Sequence, residues 1–403
     1  MTLHQPFAVL LCRFTDSAAA PPHDAAHFER LVVQVGTGGL HDYWRAASLG
    51  EVDLDGSRVF GWTTLPHTRD EFVAQHADRW GRISGAFAAF PDVRLGDFVG
   101  VIVCFSDDVA DAGAANNGVL ANIDCWNVTF LGHETGHVMG LDHSFDESTR
   151  QAADWSAPGE YFDMSDIMSA MNVHADSGHE FSPRGPMVSV AHLDRLNWLS
   201  AGRVWQPGTT GSGVDQFDLV ALSHPEVPGY LAAQVGGVHV ELRVPDGFDA
   251  GLFQPAVRIH ELRGTNPVML ASQLAPDGDW LPGTTFGPSD AALRILGGTE
   301  MTIESFDLQR HTARIGVRVT APAAVPQLVG RASYGVTVDG GGYLVLPSGK
   351  IIKIPPRGPV MDLLANVESL VDAQAHGAQL SAEQLVAINS SAVLLDTIRF
   401  RTE

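Results

Sequence analysis

The segment His133-Glu134-Thr135-Gly136-His137-Val138-Met139-Gly140-Leu141-Asp142-His143 constrains this chain more than any other. His133 and His137 are four positions apart, so on a helix both imidazoles leave the same face, about one turn apart. Glu134 directly follows the first histidine. It therefore sits beside a cation held by the pair rather than on it, where a general base for an activated water belongs. Gly140 ends the helix, because a residue without Cβ can take the left-handed turn that swings His143 back as a third nitrogen donor. Three neutral imidazoles leave one position of a tetrahedral Zn2+ ion open, as catalysis requires and a structural site does not.

The full spacing, H-E-x-x-H-x-x-G-x-x-H, resembles the active-site helix of the metzincin zinc endopeptidases. The resemblance implies one catalytic zinc on His133, His137 and His143, with Glu134 as the base in peptide hydrolysis. It also implies a tight turn carrying a methionine beneath the metal. Asp166-Ile167-Met168-Ser169 is similar to that turn, so Met168 is the expected apolar floor, with Met164 and Met171 as rivals in the same stretch. Some metzincins place an extra tyrosine ligand two residues after this methionine; here that position is Ala170, and no such tyrosine is expected. Asp163 and Asp166 are expected to order the turn through hydrogen bonds. The stretches Leu40-His41-Asp42-Tyr43-Trp44, Gly61-Trp62-Thr63 and Leu196-Asn197-Trp198-Leu199 are similar to parts of metzincins of the immune inhibitor A and gametolysin type. So is Val238–Arg243 with the Asp246-Gly247-Phe248-Asp249 that follows, and the resemblance covers roughly residues 1–320.

A 403-residue chain with 45% hydrophobic and 18% charged residues has material for two or three cores. Its net charge of −22, with Lys350 and Lys353 as its only lysines, argues against nucleic acid or an anionic membrane as partner. No apolar run approaches a membrane span of about 20 residues, so no membrane insertion is expected. The apolar stretch 7–14 lacks a basic leader and reads as a first strand, not a signal peptide. Extracellular location is implied by the resemblance alone. Cys12, Cys104 and Cys125 are too few for a disulfide framework and allow one bridge at most.

The fold class is α+β. Residues 1–200 are expected to form a metzincin-like catalytic domain, a mixed sheet covered by helices. Within it, 7–16 and 98–105 read as buried strands, 25–35, 40–48 and 70–90 as helices, and 52–62 as a strand or hairpin about Asp55-Gly56. Residues 119–125 read as the strand bordering the cleft, where a polypeptide substrate would add as an antiparallel strand. The motif helix is expected from Asn127. Residues 201–322 alternate in short strands broken by Pro and Gly, as in an antiparallel β-sandwich. Residues 323–403 read as a hairpin followed by a helix over 361–375 and a last helix capped at Ser381-Ala382-Glu383-Gln384.

Other readings are weaker. His174, His179 and His192 read as core or surface histidines. Asp53-Leu54-Asp55-Gly56 begins like a calcium loop but lacks the remaining ligands and reads as a turn, so a calcium requirement finds no support. The alternative function is a non-catalytic zinc-containing adhesin or protein-binding module on the same fold, and the intact Glu134 argues against it. A zinc hydrolase acting on other amides is a third possibility, which the long β-edge disfavours.

Overall fold

The computed structural model describes residues 2–319, apart from Ala19, 208–212, Gly236, Gln273, Leu274, Pro276 and 288–298, together with three later strands. The chain opens with β1 (Leu3–His4) and β2 (Phe7–Arg13). It continues through α1 (Ala25–Phe28), a π-helical extension over Glu29–Val33, and α2 (Leu40–Ala47) to β3 (Val52–Asp53) and β4 (Arg58–Thr64). Helices α3 (Arg69–Gln75) and α4 (Arg79–Phe87) precede β5 (Gly100–Phe105), β6 (Gly113–Ala115) and β7 (Gly118–Ala121), and α5 (Val128–Val138) carries the histidine motif. One sheet has the order β4-β2-β5-β7-β6, parallel throughout except for β6 at the edge.

Both faces of this sheet are buried. Phe7, Val9 and Leu11 of β2 pack with Tyr43 and Trp44 of α2 and Leu131 of α5. Ala8, Leu10 and Cys12 face the other way and pack with Phe72 of α3 and Ile83 of α4. Double coverage explains why β2 and β5 read as unbroken apolar runs rather than alternating ones.

Three local expectations are corrected. The single helix over 70–90 is two helices, because Asp78 accepts a hydrogen bond from the Gly81 N–H and starts α4 afresh. The stretch 52–62 is not a hairpin: β3 pairs in parallel with β1 and β4 with β2, in separate sheets, across a turn in which Gly56 takes φ +93°. The strand over 119–125 is not the cleft border. It stops at Ala121 and lies inside the sheet, since the preceding segment forms β6 at the edge and then turns at Asn116 (φ +51°) into β7.

Downstream come β8 (Phe145–Asp146), α6 (Val190–Arg195), β9 (Val204–Trp205), β10 (Gly213–Val220), β11 (Ala232–Val235), β12 (Val238–Arg243), β13 (Ala256–Arg263) and β14 (Asn266–Met269). They are followed by β15 (Thr285–Phe286), β16 (Thr299–Asp307) and β17 (Thr312–Val319). These strands form a six-stranded sheet, β8-β14-β13-β12-β11-β9, and a four-stranded one, β10-β17-β16-β15. In the six-stranded sheet β11 to β14 are antiparallel, while β8 and β9 add in parallel at the two edges. Because β8 lies just after His143 yet pairs with β14, the change of sequence pattern near residue 200 falls inside one compact unit, Met1–Thr209, Val214–Phe286 and Met301–Val317. The other unit contains β18 (Ser333–Val336), β19 (Gly342–Val345) and β20 (Ile351–Ile354), an antiparallel three-stranded sheet where a hairpin was expected. The helices expected over 361–375 and after Ser381 lie outside the described residues. All three cysteines are free thiols. Among the described residues no helix is long and apolar enough to cross a membrane.

Candidate metal centre

Helix α5 starts where the Asn127 side chain accepts from the Phe130 N–H. It ends in a paired closure: Gly140 N–H donates to His137 O (3.0 Å) and Leu141 N–H to Gly136 O (2.9 Å). Gly140 sits at φ +90° with open space where a Cβ would be, so glycine is needed there for its backbone angle and not for room. The reversal returns His143 to the face of α5 that carries His133 and His137, and the metal-accessible atoms of all three lie within 4.8 Å of one another.

Each imidazole is held by its far nitrogen. His133 Nδ1 donates to Ile167 O and His137 Nδ1 to Leu141 O, both at 2.9 Å, while His143 Nδ1 lies 2.6 Å from Glu160 Oε1. With the proton of each ring committed to Nδ1, the Nε2 atoms present lone pairs. The lone pairs of His133 and His137 face each other at 3.1 Å. Two lone pairs so close repel unless a cation lies between them, and this donor set fits zinc. Burial, with His137 alongside, pushes His133 well below the usual imidazole range, and burial lowers His137 too, so neither loses its lone pair to a proton near neutrality.

Glu134 is also buried, and burial pushes its carboxyl up to about 7 against the opposing effects of the Ala114 N–H and the Arg79 charge. Its Oε2 accepts from the Ala114 N–H at 2.6 Å, which ties the helix to edge strand β6. Arg79 holds the same strand by donating to Ala114 O (3.1 Å) and pairing with Asp111 (2.8 Å). The cleft beside them, about 660 Å³, is lined among others by Ala112, Ala114, Trp155, Tyr161 and Ala170.

Met168 lies fully buried in a short turn, Ile167–Ser169, against α5. A Cβ on Gly136 would come within 2.8 Å of its sulfur, so the glycine inside the helix allows this approach. Asp166 Oδ1 accepts from the Met168 N–H (2.9 Å), and Asp163 Oδ1 from the Ser165 N–H (3.1 Å) and hydroxyl (2.7 Å). The same turn presents the Ile167 carbonyl that orients His133. Of the rival methionines, Met171 is 54% exposed at the cleft, and Met164 lines a separate pocket. His174, His179 and His192 do not line the cleft.

Sequence reasoning missed four participants: Tyr161, Glu160, Arg79 and Ala114. Ala170 does bring no hydroxyl, but Tyr161 reaches the site from before the methionine turn, its hydroxyl 3.1 Å from His143 Nε2. Tyr161 holds φ +66°, an uncommon conformation for a residue with a side chain. No spacing from the histidine motif announces Glu160 or Tyr161. Comparison with models of protein families, with curated proteins and with solved structures found no match to this chain.

Proposed function

We propose that this chain is a zinc-dependent endopeptidase of metzincin type, acting outside the cell on polypeptides. In this reading residues 1–200 are the catalytic domain, 201–322 a second, β-rich domain that shares a sheet with the first through β8, and 323–403 an appendage. The observation that carries the proposal is the convergence of three buried or half-buried imidazoles beside the buried Glu134 carboxylate, which the Ala114 N–H holds in place. When bound, zinc supplies Lewis acidity at an open coordination position. Glu134 takes a proton from the attacking water and returns it to the leaving amine. Ala114 N–H aims that carboxylate. Tyr161 has a proton to donate to the oxygen on which charge develops. Extended substrate adds along β6, where it competes with Arg79 for the Ala114 carbonyl.

The test is zinc content and casein cleavage, wild type against Glu134→Gln. Both proteins are expected to hold zinc at the histidine site, with cleavage falling about 10²–10⁴-fold in the variant. Folded wild-type protein without zinc at His133, His137 and His143 sinks the reading. Zinc with equal cleavage by both proteins removes Glu134 from the chemistry.

A further inference from the structure

A second constellation of metal-ligand type lies away from the cleft. Strands β1 and β3 pair in parallel with His4 opposite Asp53, and His4 Nδ1 meets Asp53 Oδ1 at 2.7 Å. The turn that follows β3 is fixed by the Asp55 N–H donating back to Asp53 Oδ1 (3.0 Å), which brings the Asp55 carboxylate to the same place. Ligand atoms of His4, Asp53 and Asp55 all lie within 4.8 Å of one another. These three alone would be a surface cluster.

His41, in the first turn of α2, changes that. It is only 2% exposed, and its Nδ1 lies 3.0 Å from Val33 O, which fixes the proton on Nδ1. Its Nε2 faces Asp55 Oδ1 at 3.6 Å, beyond hydrogen-bond reach. A buried imidazole with a backbone carbonyl behind Nδ1 and a carboxylate oxygen ahead of Nε2 repeats the arrangement seen in the histidine triad, where electron-rich atoms converge.

We propose that His4, His41, Asp53 and Asp55 form a second, structural site for a divalent transition cation. Two imidazoles and two carboxylates suit zinc or cobalt, whereas calcium takes six to eight oxygens. The ion would clasp the N-terminal strand and the Asp55 turn to α2. That helix in turn braces the motif helix, since Trp44 Nε1 donates to Thr135 Oγ1 at 2.9 Å. The site does not depend on the proposed peptidase activity.

Chelator-stripped full-length protein dialysed against micromolar zinc, and separately cobalt, gives the count. Wild type is expected to bind two equivalents. Asp55→Asn and His4→Ala, both at exposed side chains, bind one, with peptidase activity retained; the His133→Ala/His137→Ala variant also binds one. In that last background zinc raises the melting temperature by several degrees, and adding Asp55→Asn abolishes the rise. One equivalent in wild type, kept by Asp55→Asn and lost by His133→Ala/His137→Ala, overturns the proposal and leaves His41–Asp55 as an ion pair. One equivalent with the opposite pattern keeps this site and sinks the triad. No bound metal overturns both.

Discussion

Two buried histidine clusters flank the turn at Ile167–Ser169, and they solve opposite problems. On the cleft side, His133 and His137 meet backbone carbonyls through Nδ1, and among the described residues no anion pairs with either ring. Burial keeps them neutral and their lone pairs converge. Behind the turn, His260 lies 2.8 Å from Asp163 and 3.7 Å from Glu241. Arg243 binds Asp249 through two nitrogens and also reaches Glu241, with every side chain in this group fully buried. There the positive groups carry their own counter-ions, and Asp249 and Glu241 also accept the Met187 and Val190 N–H groups. Burial alone therefore says little about a histidine. For His133 and His137 a backbone carbonyl on Nδ1 leaves Nε2 free to face its neighbour, whereas the carboxylates around His260 pair with a charge on the ring.

The comparison is most easily broken at Asp249. Asp249→Ala leaves the buried Arg243 guanidinium with Glu241 as its remaining anionic partner and takes the acceptor from Met187 N–H. It is expected to destabilise the fold by about 3–5 kcal/mol, read from urea unfolding. If the second cluster is the self-compensated network described, no added metal restores the loss. A change below about 1 kcal/mol would mean that Arg243 relaxes onto other acceptors and that the network is not a unit.

The two clusters also differed in what the sequence disclosed. The first is written within eleven residues, because one helix and one glycine turn place all three donors, and period 3.6 is readable from spacing. The main sheet was readable from the apolar runs of β2 and β5 for a similar local reason. The second cluster joins residues as far apart as Asp163 and His260, paired only by the register of β12, β13 and the preceding turn. No local pattern encodes such contacts. The same applies within the candidate site, where Glu160 and Tyr161 arrive on a loop drawn in by the Phe145–Glu160 bridge. One overlooked signal was local. Gly136 sits inside a helix, where glycine costs about 1 kcal/mol against alanine, and that cost points to a close approach such as that of Met168. The split between α3 and α4 was missed because apolar spacing runs through the break, while the cap at Asp78 depends on a single side chain.

A smaller effect sharpens the cleft side. Tyr161→Phe removes the hydroxyl beside His143 Nε2 without changing the ring or the backbone. If Tyr161 donates to a charged oxygen during reaction, kcat is expected to fall about tenfold or somewhat more, with KM and zinc content unchanged, as for a hydrogen bond to a charged group. A rise in KM with kcat intact would instead make Tyr161 a wall of the substrate cleft.

The smallest effect tests whether the second cluster is charged. Burial works against a proton on His260, yet the Asp163 charge and hydrogen bond, with Glu241 and Asp166 beyond, raise its pKa above the ordinary 6.5. Burial likewise opposes the Asp163 carboxylate, yet the His260 charge and hydrogen bond, with that of Ser165, hold it below the ordinary 3.8. A raised basic group contributes its full stability below its unfolded value and loses it as pH climbs through the folded one. A depressed acid contributes above its unfolded value and loses it as pH falls toward the folded one. The pair is thus worth most between the ordinary values of 3.8 and 6.5, at about 1.4 kcal/mol for every tenfold change in proton affinity. Unfolding free energies of wild type and Asp163→Asn, both with metal chelated, should differ most in that window and converge above it as His260 loses its proton. A difference constant from pH 4 to pH 9 would make His260 a neutral hydrogen-bond donor, and the contrast between the two clusters would then rest on Arg243 alone.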